Sequence, residues 1–211
     1  MFDTVLFDLD GTLTESGIGI TRSVAYALRK RGIEETDQAQ LDKFVGPPLI
    51  DAFMQYYGFP REEAVRAVED YREYYAVKGI FENRVYDGVE AMLQALKEVG
   101  KTCVLATSKP EHFAVQILDY FGLARYFDCV AGATMDEKRT NKADVIAYAL
   151  EKANAPGKAV MVGDRKHDIL GAKAHGLESI GVLYGYGSRE ELETAGATYI
   201  AETAEEILKF V

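Results

Sequence analysis

The chain has 211 residues, of which 48% are hydrophobic, and its 34 acidic and 24 basic side chains give a formal net charge of -10. This length suggests one large domain or two small ones with a sizeable core. A chain this acidic is a poor non-specific ligand for nucleic acid or anionic membrane, and it has no apolar run of membrane-spanning length. No basic signal-peptide region precedes the first predicted strand, and Cys103 and Cys129 lie in predicted strands as free thiols. These features predict a cytoplasmic protein.

The first predicted element is a short apolar strand that ends in two carboxylates and a glycine. Five of the six residues from Thr4 to Leu9 are apolar, β-branched or aromatic, which indicates a central strand of a parallel sheet. Because side chains alternate along a strand, Asp8 and Asp10 are expected to leave it on the same side, and Gly11 permits a sharp turn. Such a pair of like charges needs a positive partner, and carboxylate oxygens suit Mg²⁺. An ordinary Asp-Gly turn is the alternative interpretation.

The rest of the chain contains two regions that differ in predicted secondary structure. Residues from about 14 to 84 show helical spacing and no convincing strand, with a break at Gly46-Pro47-Pro48. Strands are then predicted at 102–107, 128–131, 159–162 and 179–183, with 199–200 as a last edge strand. Helices are predicted between them, and they include one that opens with a capping box over 87–90, one from about 167 to 175, and a final helix after Thr203.

This alternation of strands and helices predicts an α/β fold with a doubly wound parallel sheet, that is, a Rossmann-like core. The predicted core domain comprises residues 1–14 and 84–211. Residues 15–83 form a smaller all-helical domain inserted after the first strand.

Polar residues follow the predicted strands where these end, or lie near a helix start. They are Asp8 and Asp10, Thr107 with Ser108, Lys142, and Asp164 with Asp168 after Gly163. Ligands of an open α/β sheet bind beyond the carboxyl ends of the strands, so these groups are expected to converge. A carboxylate can attack phosphorus, a second one can move protons, and a hydroxyl and an ammonium can hold phosphoryl oxygens. Taken singly, each residue also has a structural interpretation, such as a helix N-cap for Asp164 or a solvated lysine for Lys142.

The motifs together resemble those of the haloacid dehalogenase superfamily of phosphohydrolases, and the resemblance covers essentially the whole chain. They are Asp8-Leu9-Asp10-Gly11-Thr12, Thr107 in Leu-Ala-Thr-Ser-Lys, Lys142, and Gly163-Asp164-Arg165-Lys166-His167-Asp168. The helical insertion is similar to the cap of the subfamily that includes phosphoglycolate phosphatases. The last motif and Gly181-Val-Leu-Tyr-Gly-Tyr-Gly-Ser188 are similar to a phosphoglycolate phosphatase-like or 5′-nucleotidase-like branch.

The resemblance implies a role for each matched residue. Asp8 would be the nucleophile that becomes an aspartyl-phosphate, and Asp10 would be the general acid and base. Thr107 would hydrogen-bond the phosphate, and Lys142 would neutralise the nucleophile and the phosphate. The further predicted phosphate- and substrate-binding residues are Gly11, Thr12, Ser108, Lys109, Gly46 and Pro47.

The resemblance also implies a Mg²⁺ site. Its predicted residues are Asp8, Asp10 through its backbone carbonyl, Asp164 as a direct ligand, and Asp168 acting through water or Lys142.

The expected function is Mg²⁺-dependent hydrolysis of small phosphorylated metabolites, with a 5′-nucleotidase-like or phosphoglycolate phosphatase-like activity. Asp10 argues against carbon–halogen cleavage, because the dehalogenases lack this second acid. A sugar-phosphate phosphomutase and a pyrophosphatase remain alternatives on the same scaffold. A phosphorylation-controlled binding module is disfavoured by the motif order and by the size of the insertion. The expected protein is a monomer or homodimer that binds neither nucleic acid nor membrane.

Overall fold

The computed structural model of the chain describes residues 1–135 and 139–211. The chain divides into two compact units. The core unit comprises Met1–Thr14 and Val85–Val211, and the helical unit comprises Glu15–Arg84. The second boundary therefore falls one residue after the position expected from the sequence. No helix in the described part of the chain is both long enough and apolar enough to cross a membrane.

The core unit is built on a six-stranded sheet in which every pairing of neighbouring strands is parallel. The strands are β1 (Thr4–Phe7), β2 (Thr102–Pro110), β3 (Cys129–Ala133), β4 (Ala159–Gly163), β5 (Glu178–Val182) and β6 (Tyr199–Ala201). Their order across the sheet is β3-β2-β1-β4-β5-β6. The predicted doubly wound parallel sheet is confirmed, and so is the last edge strand.

Strand β1 lies in the interior of this sheet, between β2 and β4, and all four of its residues are buried. Phe7 pairs with Leu105 of β2 on one side and with Val162 of β4 on the other. The carboxyl ends of these three strands therefore lie side by side. In a sheet of this kind, ligands bind beyond the carboxyl ends of the strands, at the point where the strand order reverses.

Helices and short 3₁₀ turns connect the strands of the core unit. They are α5 (Val89–Glu98), α6 (Glu111–Tyr120), α7 (Lys142–Ala153), α8 (Lys166–Ala174) and α9 (Arg189–Ala195), with 3₁₀ turns at Ala124–Tyr126 and Glu205–Lys209. Buried apolar residues of α7 and α8, such as Val145 and Ala172, pack on Leu6, Val104 and Met161 of the sheet. This packing fixes the starts of α7 and α8, which carry two of the predicted site residues.

The helical unit contains α1 (Gly17–Arg29), α2 (Gln38–Asp42), α3 (Leu49–Tyr57), α4 (Arg61–Tyr75) and a 3₁₀ turn at Gly79–Phe81. All residues from 15 to 84 are described, and none of them lies in a strand, so the predicted all-helical composition is confirmed. Asp70 of α4 forms ion pairs with Lys30 and Arg31, which follow α1. Phe44 packs against Phe53 with ring centroids 4.8 Å apart, which anchors the segment before α3.

Two local predictions are wrong. Helix α5 has Gly88 at its N-cap with a φ of 80°, and no side chain caps it among the described residues, so there is no capping box over 87–90. A glycine in the left-handed region occupies the position where a side-chain oxygen would have to lie. The final helix predicted after Thr203 is not an α-helix but the short 3₁₀ turn Glu205–Lys209.

The two cysteines are free, as predicted. Cys129 of β3 pairs with Val104 of β2, so its side chain shares a face of the sheet with Val104. Cys103 precedes Val104 and therefore points to the opposite face, which rules out a disulfide between the two thiols.

Candidate active site

Lys142 connects the ends of several core elements. It is the first residue of α7, and its ammonium lies 2.8 Å from Oδ1 of Asp8 and 2.7 Å from Oδ1 of Asp168. It also donates a hydrogen bond of 3.1 Å to the carbonyl oxygen of Ala106 in β2. Asp8 continues the pairing of β1 with β4 through its backbone N–H, which donates to Val162. A buried lysine is thus surrounded by oxygen atoms from β1, β2 and α8.

Three buried carboxylates meet at this point. Ligand oxygens of Asp8, Asp164 and Asp168 all lie within 4.8 Å of one another. Burial, followed by the charges of Asp168 and Asp8, raises the pKa of Asp164 well above its ordinary value. Burial also raises the pKa of Asp168, against the opposing effect of Lys142.

Lys142 stays positively charged in this environment. Burial alone would lower the pKa of Lys142, but Asp168 and Asp8 hold it above its ordinary value. One ammonium does not balance three buried carboxylates when all of them are ionised, which would leave an excess of negative charge. A set of carboxylate oxygens with this excess suits a hard divalent cation such as Mg²⁺.

Asp164 is oriented by neighbours on both of its oxygens. The backbone N–H of Tyr186 donates to Oδ2 at 2.8 Å, and the hydroxyl of Thr12 lies 3.4 Å from Oδ1. Gly11 has a φ of 85°, and a Cβ atom at this position would overlap the Asp164 carboxylate. The turn after β1 therefore needs glycine both for its backbone conformation and for its close approach to Asp164.

Asp10 lies outside the group of three carboxylates and forms an ion pair with Lys109. Its Oδ2 is 2.8 Å from the ammonium of Lys109, and its Oδ1 has no hydrogen-bond partner among the described residues. The register of β2 with β3 shifts between Thr107 and Pro110, and the N–H of Lys109 donates to the hydroxyl of Thr107. Such an irregularity redirects side chains at the end of a strand, and here Lys109 meets Asp10.

The remaining predicted residues have different locations. Ser108 is half-buried within the irregular end of β2. Gly46 and Pro47 belong to the helical unit, between α2 and α3. The structure thus places nine predicted residues in two contact groups within the core unit. The first contains Asp8, Gly11, Thr12, Lys142, Asp164 and Asp168, and the second contains Asp10, Thr107 and Lys109.

The segment that follows β5 is part of the motif Gly181–Ser188 in the sequence, but no site role was predicted for it. The hydroxyl of Tyr184 donates to the carbonyl oxygen of Thr12 at 3.0 Å, and Tyr186 holds Asp164. A Cβ atom at Gly185 would overlap the carbonyl oxygen of Gly11 and the side chain of Asp164. Alternating glycines directly after a predicted strand were the available signal for a close backbone approach.

The chain is similar to known proteins over most of its length. Residues 5–182 match the family described as haloacid dehalogenase-like hydrolase. A 5′-nucleotidase from Pseudomonas aeruginosa is 46% identical over 205 residues, which cover 96% of this chain and 93% of that protein. A tyrosine-protein kinase, PtkA, from Mycobacterium tuberculosis is 38% identical over 95% of this chain and 68% of that protein.

A solved structure is similar in both sequence and fold. It is described as a predicted phosphatase from Clostridium acetobutylicum and is 52% identical, with a TM-score of 0.95. The match covers 100% of this chain and 98% of the other. The similarity therefore extends over both units.

Proposed function

Because the chain belongs to the haloacid dehalogenase-like hydrolases, we propose that it is a Mg²⁺-dependent phosphomonoesterase that acts on small phosphorylated metabolites. The observation that carries the proposal is the ion-pair geometry of Lys142, which lies 2.8 Å from Asp8 and 2.7 Å from Asp168. An ammonium in this position pairs with Asp8 and leaves a positive charge next to the place where a phosphoryl group would arrive.

Asp8, Asp164 and Asp168 supply the buried oxygens that fit a divalent cation, and the backbone carbonyl of Asp10 completes the proposed set. When bound, Mg²⁺ supplies positive charge that reduces the repulsion between an anionic substrate and an anionic nucleophile. Its binding also offsets the excess of carboxylates over ammonium groups.

In the first step, a carboxylate oxygen of Asp8 forms a bond to phosphorus, and the bond from phosphorus to the leaving oxygen breaks. Asp10, in its protonated form, gives its proton to that leaving oxygen. Lys142 and the hydroxyl of Thr107 hold the phosphoryl oxygens. The products of this step are the alcohol and an aspartyl-phosphate at Asp8.

In the second step, water forms a bond to phosphorus, and the bond between phosphorus and Asp8 breaks. Asp10, now a carboxylate, removes a proton from the attacking water and so returns to its first protonation state. The Lys109 ammonium holds Asp10 from one side, so its Oδ1 is the oxygen available for this exchange.

A 5′-nucleotide is the substrate that the 46% identical 5′-nucleotidase supports best. A phosphoglycolate phosphatase-like activity is the second proposal, from the motif resemblance, and Gly46 and Pro47 remain proposed substrate-binding residues. A phosphomutase and a pyrophosphatase are the alternatives within the same chemistry. We also propose that the protein works in the cytoplasm as a monomer or homodimer.

The test is phosphate release from a panel of substrates with and without Mg²⁺. The panel contains 5′-nucleotides, phosphoglycolate, pyrophosphate, sugar phosphates and, because one relative is named a tyrosine-protein kinase, phosphotyrosine. Wild type is compared with Asp8→Asn and with Asp119→Asn, which removes an exposed carboxylate from α6.

We expect release from at least one phosphomonoester that requires both Mg²⁺ and Asp8, and an unchanged rate in Asp119→Asn. The ranking within the panel identifies the substrate class. Release that continues in Asp8→Asn would contradict the proposed nucleophile. Conversion of one sugar phosphate into its isomer without phosphate release would favour the phosphomutase.

A further inference from the structure

Two hydrogen bonds to the Asp164 carboxylate come from residues that belong to, or are contacted by, one segment of chain, residues 184–187, which follows β5. Tyr186 donates its backbone N–H directly to Oδ2 of Asp164 at 2.8 Å. The hydroxyl of Tyr184 donates to the carbonyl oxygen of Thr12 at 3.0 Å, and the hydroxyl of Thr12 in turn faces Oδ1 of Asp164. One segment thus reaches the same carboxylate from two directions.

Tyr184 is held in place by its own surroundings. Its ring packs against Tyr86 with centroids 5.1 Å apart and planes at 62°. The backbone N–H of Tyr86 donates to the carbonyl oxygen of Leu13, the residue after Thr12. Tyr184 and Tyr86 therefore hold two consecutive carbonyl groups of the turn that follows β1, which limits how far Thr12 can move.

Residues 184–187 also lie too close to the site to move freely. A side chain at Gly185 would meet Gly11 and Asp164, and a Cβ atom at Gly187 would overlap the carbonyl oxygen of Asp164. A segment packed at backbone distance transmits its own position to the groups that it touches.

We propose that Tyr184 is a positioning residue for the cation site: its hydroxyl fixes Thr12, and Thr12 holds Asp164 in the orientation that a divalent cation requires. This inference rests on the proposed function for the identity of the cation, Mg²⁺. Residues that orient metal ligands typically change metal affinity by about 10- to 100-fold when they are mutated. Removal of the Tyr184 hydroxyl is therefore expected to weaken Mg²⁺ binding more than it weakens substrate binding.

The test is the Mg²⁺ dissociation constant of the full chain, measured by titration calorimetry without substrate. Tyr184→Phe removes only the hydroxyl. Tyr199→Phe is the matched control, because its hydroxyl also makes one hydrogen bond, of 2.9 Å, to Glu178 in the same unit. We expect Tyr184→Phe to weaken Mg²⁺ binding by about tenfold and Tyr199→Phe to leave it within about twofold of wild type.

A second pair of variants tests the route through Thr12. Thr12→Val removes the hydroxyl that faces Asp164 and should weaken Mg²⁺ binding, whereas Thr12→Ser keeps a hydroxyl and should retain it. In the Thr12→Val background, Tyr184→Phe should cause little further loss, because the two residues act in series. Losses that simply multiply in the double variant would overturn the proposed route.

Stability and activity are recorded separately to distinguish this inference from folding and from the proposed function. A lower melting temperature for Tyr184→Phe with unchanged Mg²⁺ affinity would overturn the positioning role and leave a structural one. Weakened Mg²⁺ binding in a protein that releases no phosphate from any substrate would support the inference while refuting the phosphatase. Wild type that binds no Mg²⁺ would overturn the inference.

Discussion

The ammonium of Lys109 lies 2.8 Å from Oδ2 of Asp10, and both side chains are largely buried. The contact forms because the register of β2 shifts after Thr107, which brings Lys109 towards the end of β1. The proposed reaction requires Asp10 to exchange a proton with the leaving group and with water. Lys109 is therefore expected to control where this carboxylate points.

Lys109→Met should lower kcat by about 10- to 100-fold, because a catalytic group that loses its positioning contact moves out of line with the reacting atoms. Lys109→Arg should recover part of the loss. The rate of the first step, measured as pre-steady-state release of the leaving group, should fall more for an alkyl phosphate than for p-nitrophenyl phosphate, whose leaving group needs no proton. Equal losses for the two substrates would show that Lys109 does not act through Asp10, and Lys173→Met, at an exposed position of α8, is the control.

Gly11→Ala should remove nearly all Mg²⁺-dependent activity and destabilise the protein. The backbone φ of 85° costs a residue with a Cβ about 1–2 kcal/mol, and the new methyl group would also displace Asp164. Gly100→Ala is the matched control, since its φ is 77° but no described atom beyond its chain neighbours lies within 4 Å of the point that a Cβ would occupy. Equilibrium unfolding should show a loss in both variants, whereas Mg²⁺ titration should show one in Gly11→Ala alone.

The order of the core elements and most of the site could be predicted because the signals are local. Asp8, Asp164 and Lys142 each follow a buried strand or begin a helix, and parallel strands bring such ends together. The pairing of Asp10 with Lys109 could not be predicted in this way. It depends on a register shift inside β2 after Thr107. The predicted strand ended at residue 107 and so did not include this shift.

Asp128 should contribute stability that disappears in acid. Partial burial opposes ionisation, but hydrogen bonds from Lys97 and from the N–H of Cys103 lower the pKa of Asp128 below its ordinary value. Because the pKa of Asp128 is lower in the folded state, its ionised carboxylate stabilises the protein at pH values above the unfolded-state pKa, about 3.9. This contribution is lost as the pH falls through the folded-state pKa.

The measurement is the difference in unfolding free energy between wild type and Asp128→Asn. It should be below about 1 kcal/mol near neutral pH, because the Asp128 side chain is 45% exposed, and it should shrink between about pH 5 and pH 3. A difference that stays constant over this range would contradict the role assigned to the ionised carboxylate.

The role of residues 184–187 was beyond the reach of the sequence for a physical reason. Tyr184 and Thr12 are 172 positions apart, and only the folded sheet brings β5 close to the turn after β1. The residue type at position 184 predicts a buried aromatic side chain. The hydrogen bond from its hydroxyl to the Thr12 carbonyl depends on the paths of the loops after β1 and after β5. The alternating glycines at positions 185 and 187 indicate a close backbone approach, but they do not identify the carbonyl group that Tyr184 contacts.

The most direct test of the proposed mechanism is the pre-steady-state release of p-nitrophenol from p-nitrophenyl phosphate by Asp10→Asn in the presence of Mg²⁺. The leaving group needs no proton, so Asp8 should still be phosphorylated, while hydrolysis of the aspartyl-phosphate should lack its general base. We predict a burst nearly stoichiometric with enzyme, followed by slow turnover, and no burst in Asp8→Asn. A burst that persists in Asp8→Asn, or its absence in Asp10→Asn despite continued turnover at the wild-type rate, would contradict the covalent mechanism through Asp8.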